Sequence, residues 1–180
     1  MGPALGLAKA FETPQSEVGP MNIVEVDIQV PEGSQILIGQ AHFIKTVEDL
    51  YETLATSMPG LKFGVAFCEA SGKALVRFDG SDPAATSLAR DFATRIGAGH
   101  SFVIVLGSAF PINVMNRVKA VEEVLQIFCA TGNPVTVIVA DSGKGRGILG
   151  VIDGTTSKEP ESDMEKAERQ AFLRKIGYKR

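Results

Sequence analysis

From Asn22 to Val30, NIVEVDIQV sets apolar residues against acids with the two-residue period of a half-buried strand. PEGS then turns the chain, and QILIG (35–39) forms a short apolar strand. From Thr46 the period lengthens: Val47, Leu50, Tyr51, Leu54 and Met58 fall on one helical face. Thr46 is a residue type suited to an N-cap, acids follow it in the first turn, and Pro59-Gly60 ends the helix. KFGVAFCEA (62–70) and ALVRFD (74–79) flank SGK as a hairpin. Asp82 and Pro83 open a second helix as cap and first helical residue. Its buried stripe is Ala85, Leu88, Ala89, Phe92, Ala93 and Ile96, and Gly97 stops it. SFVIVLG (101–107) is almost wholly apolar, as a strand buried on both faces requires. A third helix starts near Pro111, two strands (124–130 and 135–141) flank TGNP, and a further strand spans 147–153. A charged amphipathic helix from about Glu161 to Ile176 closes the chain.

Helices and strands interleave, yet several neighbouring strands are joined by tight turns. That combination predicts an α/β fold, a single compact domain with a mixed β-sheet and packed α-helices, and excludes a purely parallel doubly wound sheet. Residues 1–20 lack sustained periodicity and hold three of the nine prolines. They are expected to form a poorly packed N-terminal extension to a domain spanning 21–180.

Composition narrows the function. A hydrophobic content of 44% with 22% charged residues fits an ordinary globular core. The net charge of −3 shows no basic excess that would suit nucleic acid or an acidic membrane surface. No apolar run approaches the ~18 residues of a membrane helix, and no secretory signal is visible, so a cytoplasmic protein is expected. Cys68 and Cys129 lie in apolar runs and read as buried, reduced thiols.

Several motifs carry candidate chemistry. GQAHFIKT (39–46) is close to a phosphate-binding loop, G-x-x-x-x-G-K-[ST], but Ile44 stands where the second glycine belongs. A β-branched residue there restricts a backbone that must wrap round phosphate. An ordinary strand-to-helix turn is the simpler account. His42, Lys45 and the helix start would still converge donors suited to an anion. GAGHSF (97–102) holds the second histidine, His100, beside Gly97 and Gly99. It is a helix stop and tight turn, or a loop admitting a ligand to backbone N–H groups. In GSAFPIN (107–113), Phe110 is a hydrophobic plug or a cover for a planar base. Asn113 is a surface amide or a hydrogen-bonding partner for base or sugar. DSGKGRGILGVIDG (141–154) is a flexible basic hairpin, or a phosphate-contacting loop through Lys144 and Arg146. Asp153 caps a turn there or binds ribose or metal.

Taken together, GQAHFIKTVEDLYE, GAGHSFVIVL, AFPINVMNRVK, CATGNPVTVIVA, GRGILGVIDG and the closing LRKIGYK resemble the adenosine-specific kinase family, a small domain of archaea and thermophilic bacteria. The resemblance runs from about Met21 to Arg180. It implies a compact α/β domain that forms homo-oligomers, trimers or a multiple, and that binds adenosine and AMP. It also implies a kinase, a transferase whose phosphoryl chemistry involves a histidine. His100, whose GAGH segment carries the likeness, is the expected phosphohistidine, with His42 as orienting partner or alternative carrier and Lys45 beside them. ATP or another phosphoryl donor, with Mg, is the expected co-reactant. The competing reading is a non-catalytic adenine-nucleotide sensor or structural homo-oligomer.

Overall fold

The structure is a computed structural model that describes residues 19–107 and 109–180; the expectation for the N-terminal extension therefore lies almost wholly outside the described residues. The elements follow the predicted order: β1 (Asn22–Ile28), β2 (Gln35–Ala41), α1 (Thr46–Ala55), β3 (Phe63–Cys68), β4 (Val76–Gly80), α2 (Pro83–Ile96) and β5 (Ser101–Leu106). After a short 3-10 turn at Pro111–Asn113 come α3 (Met115–Lys119), β6 (Val124–Thr131), β7 (Val135–Asp141), β8 (Arg146–Asp153) and α4 (Asp163–Lys175).

The domain is α/β, as the interleaving of patterns implied. Its strands form two sheets, one ordered β4-β3-β5-β2-β6 and the other β1-β7-β8. Every ladder in both is antiparallel. Three layers result. On one face of the five-stranded sheet, Val47, Leu50 and Leu54 of α1 and Val118 of α3 pack against Phe63, Phe67, Phe102 and Leu106. On the other face, Ala89, Phe92 and Ile96 of α2 share a second core with Ile36, Val103 and Val105. The three-stranded sheet completes that layer through Val26, Ile28, Val137 and Val139. β3 and β5 are buried along their whole length because each lies between two such layers.

Local signals are used largely as read. Asp82 accepts from the N–H groups of Ala84 and Ala85, at 3.1 and 3.0 Å, with Pro83 at the first helical position. Gly97 ends α2 at φ 59°, a left-handed conformation in which a Cβ would cost energy. The α1 start differs. Lys45, not Thr46, occupies the cap position, and no side chain caps the helix. Thr46 is already helical and fully buried, and its hydroxyl donates backward to the Phe43 carbonyl. The first turn of α1 therefore keeps amide donors that a capping oxygen would have taken.

Candidate functional site

β2 runs antiparallel to β5, which brings the end of one against the start of the other. The Ala41 N–H donates to the His100 carbonyl at 2.9 Å, so His42 and His100 share one end of the sheet although 58 positions apart. His100 sits at φ 61°, one of two non-glycine residues with positive φ among those described. Its N–H donates to the Cys68 carbonyl at 2.7 Å, and the loop before it is closed by Ser101 donating to Ala98 through both N–H and hydroxyl. Bonds on both sides hold a conformation that costs a non-glycine residue about 1–2 kcal/mol. The half-buried imidazole stacks on Phe67, with centroids 5.8 Å apart and planes inclined by 13°. His42 is exposed, and its N–H donates to the Glu123 carbonyl at 3.1 Å.

Lys45 follows. Its ammonium bonds the carboxylates of Asp49, one helical turn on, and Glu123, which arrives just before β6. These bonds, first to Asp49 and then to Glu123, hold the amine protonated well above its ordinary range. In return Lys45 holds the Asp49 carboxyl below its ordinary value. Glu123 is only 3% exposed, and its Oε2 is buried without a hydrogen-bond partner among the described residues. An ammonium has three donors; two are committed here and one remains.

Beside this cluster a cleft of about 390 Å³ opens between Ile44 and the first turn of α1 (Val47, Glu48) on one side and β4 (Val76 to Asp79) on the other. Arg77 lies directly across the β3–β4 ladder from Phe67, the residue on which His100 stacks. One guanidinium nitrogen bonds Glu69 at 3.1 Å, while Nε is buried and unpartnered among the described residues.

The other candidates divide between this end of the sheet and the opposite one. Arg146 reaches the histidine end: its side chain passes beside Gly97, donates to the Arg95 carbonyl at 3.4 Å and pairs with Asp141 at 2.8 Å. It thus faces the carbonyl end of α2, where a cation is favoured. Lys144 is exposed at the tip of the same hairpin, and Gly99 packs on Ala70. Phe110 and Asn113 follow the far end of β5, where Leu106 pairs with Gln35. The six steps of β2 from Gln35 to Ala41 place them about 20 Å from the histidines. There Asn113 accepts from the Phe110 N–H at 3.0 Å, and the Phe110 ring lines an apolar cleft of about 480 Å³ with Phe172, Ile176 and Tyr178. Asp153 accepts from the Asn133 amide at 2.9 Å and so braces the turn before β7.

The resemblance to a phosphate-binding loop dissolves in this geometry. Gly39 is not in a loop but within β2, paired with Phe102 and Ile127. A Cβ on it would lie 2.3 Å from the Phe102 ring and 2.6 Å from the Gln126 carbonyl. Glycine is there for packing.

Comparison with known proteins agrees with the architecture. A sequence model of the family described as adenosine specific kinase matches residues 26–179. The chain belongs to the adenosine-specific kinase family. The PH1918 protein of Pyrococcus horikoshii OT3, known from a crystal structure, is similar to this family member at 45% identity and a TM-score of 0.86. The match covers 89% of this chain and 99% of that one. No curated protein matches the chain.

Glu123, Asp49, Arg77 and Phe67 join the candidate site although no motif singled them out. Asp49 stands four residues after Lys45, the spacing of a helical ion pair. The others reach the site only through sheet pairing and the path of the chain after α3. Among the described residues no three His, Cys, Asp or Glu side chains are grouped to hold a metal ion, and no helix is long and apolar enough to cross a membrane.

Proposed function

We propose that the chain binds adenosine and AMP and transfers a phosphoryl group, with His100 as the carrier. The observation that carries this reading is the meeting of two histidines, Lys45 and the uncapped start of α1 at one end of the sheet. A helix N-terminus without a side-chain cap favours an anion, and the remaining Lys45 donor adds charge. The adjoining cleft, at about 390 Å³, is within the range of small-ligand sites and has room for a nucleoside. Phe67 fixes the imidazole plane, as a nucleophile that must meet phosphorus in line requires.

In the proposed sequence an imidazole nitrogen of His100 attacks the terminal phosphorus of a nucleoside triphosphate, and the bond to the departing nucleoside diphosphate breaks. The 5′-oxygen of adenosine then attacks the same phosphorus, the P–N bond breaks, and the hydroxyl proton leaves to solvent or a nearby base. Magnesium would come with the donor's phosphates, since Mg²⁺ is commonly held by one or two carboxylates together with phosphate oxygens; it would neutralise phosphate charge. Discrimination for adenine is expected, with adenosine and AMP bound in preference to guanosine and GMP.

Incubation with adenosine, ATP and magnesium should yield AMP, and guanosine should yield little GMP. Saturable adenosine binding with no AMP formed would replace this reading with the sensor.

A further inference from the structure

We infer that the Glu123 carboxylate is a positioning group for phosphoryl transfer, aiming Lys45; this rests on the function proposed above. Glu123 is bound to the cluster twice. Its carbonyl accepts the His42 N–H at 3.1 Å, and its carboxylate bonds the Lys45 ammonium. It sits between α3 and β6, away from the helix that carries Lys45, so it ties the first turn of α1 to the edge of the sheet.

The energetics show that the contact is more than an anchor. Burying a carboxylate is costly unless all its lone pairs are met, and an apolar side chain of similar size would hold the two elements together as well. Here one oxygen has Lys45 and the other has nothing among the described residues. What the charge adds is direction. Lys45 has a side chain 47% exposed, and Asp49 alone lies on the same helix. An ammonium paired only within its own helix would rotate on a flexible stem. The second carboxylate, fixed in the core, leaves the free N–H of Lys45 one orientation. A phosphoryl group between that N–H, the start of α1 and the imidazoles would meet a preorganised donor, the arrangement that lowers barriers most.

The test compares wild type with Glu123→Gln, Glu123→Met, Lys45→Met and the double variants that combine Lys45→Met with each Glu123 substitution. Thermal unfolding identifies which Glu123 variant keeps the fold, and that one is used. Expected are adenosine affinity within about threefold of wild type, and a rate of acid-labile phosphate formation from ATP and magnesium roughly a hundredfold lower. The double variant should lose no more than Lys45→Met alone, because the two residues act as one unit. An independent readout is the NMR titration of the Lys45 amine, which should move down when Glu123 loses its charge, while the bond to Asp49 keeps it above its ordinary range. An unchanged titration, or losses that multiply in the double variant, would overturn the inference. If wild type forms no phosphate label, the catalytic proposal fails, and the Lys45 titration still decides whether Glu123 positions the amine.

Discussion

At the scale of single residues, His100 has the most demanding backbone in the site. Its φ of 61° lies where β-carbons are disfavoured, yet asparagine is among the few residues that enter this region readily. His100→Asn is therefore expected to retain the loop and the stability of wild type while removing the proposed nucleophile. Acid-labile phosphate on the protein after ATP treatment should disappear in His100→Asn and persist, weakened, in His42→Asn. The reverse pattern would make His42 the carrier; absence of label from wild type as well would leave direct transfer or binding alone. The sequence offers both histidines, Lys45 and Gly97 as candidates because each sits at a helix boundary or a strand end, where short motifs are visible. It could not reach Glu123. Two acids before an apolar strand are ordinary surface residues in a one-dimensional pattern, and only the fold turns the second inward against Lys45. For the same reason it could not tell that Phe110 and Asn113 lie at the opposite end of β5 from His100.

At the scale of elements, the periodicities were sufficient for existence and type. Alternation marked β1, the helical stripes marked α1 and α2, and the apolar runs marked the doubly covered β3 and β5. Spatial order was not encoded in them: nothing local says that β2 inserts between β5 and β6, and that insertion is what brings the two histidines to one end of the sheet. β2 also offers a decisive experiment on the motif with which it overlaps. In a phosphate-binding loop, Gly→Ala at the first glycine impairs nucleotide binding through the loop. Here a methyl group on Gly39 would collide with the Phe102 ring and the backbone of β6. Gly39→Ala is expected to destabilise the domain by about 1–3 kcal/mol, the usual cost of overpacking. Thermal or urea unfolding would show it. An unchanged midpoint with lost nucleotide binding would restore the phosphate-loop interpretation.

At the scale of the whole molecule, a large apolar surface is left without a cover inside one chain. α4 buries none of its residues, although a sound capping box of Ser162 and Glu165 starts it. Helices of this length are marginal in water without tertiary packing. Phe172, Ile176 and Tyr178 instead stand with Phe110 round the apolar cleft at the far end of the sheet, and Leu125, Leu149 and Ile152 are exposed on β6 and β8. An open apolar cleft of this kind marks an interaction site. Its expected occupant is a second copy of the chain, the homo-oligomer that the family resemblance implies. Association of copies through the cleft beside α4 would give that helix the packing it lacks, and this cleft lies at the end of the sheet opposite the histidines. Light scattering should therefore return a multiple of 19.1 kDa, threefold for a trimer. Phe172→Asp, which places a charge on the uncovered face without touching a buried residue, should shift the population toward the single chain and leave His100 labelling of the folded fraction intact. A wild-type protein that remains a 19.1 kDa species at micromolar concentration would refute the assembly and leave α4 dependent on some other partner.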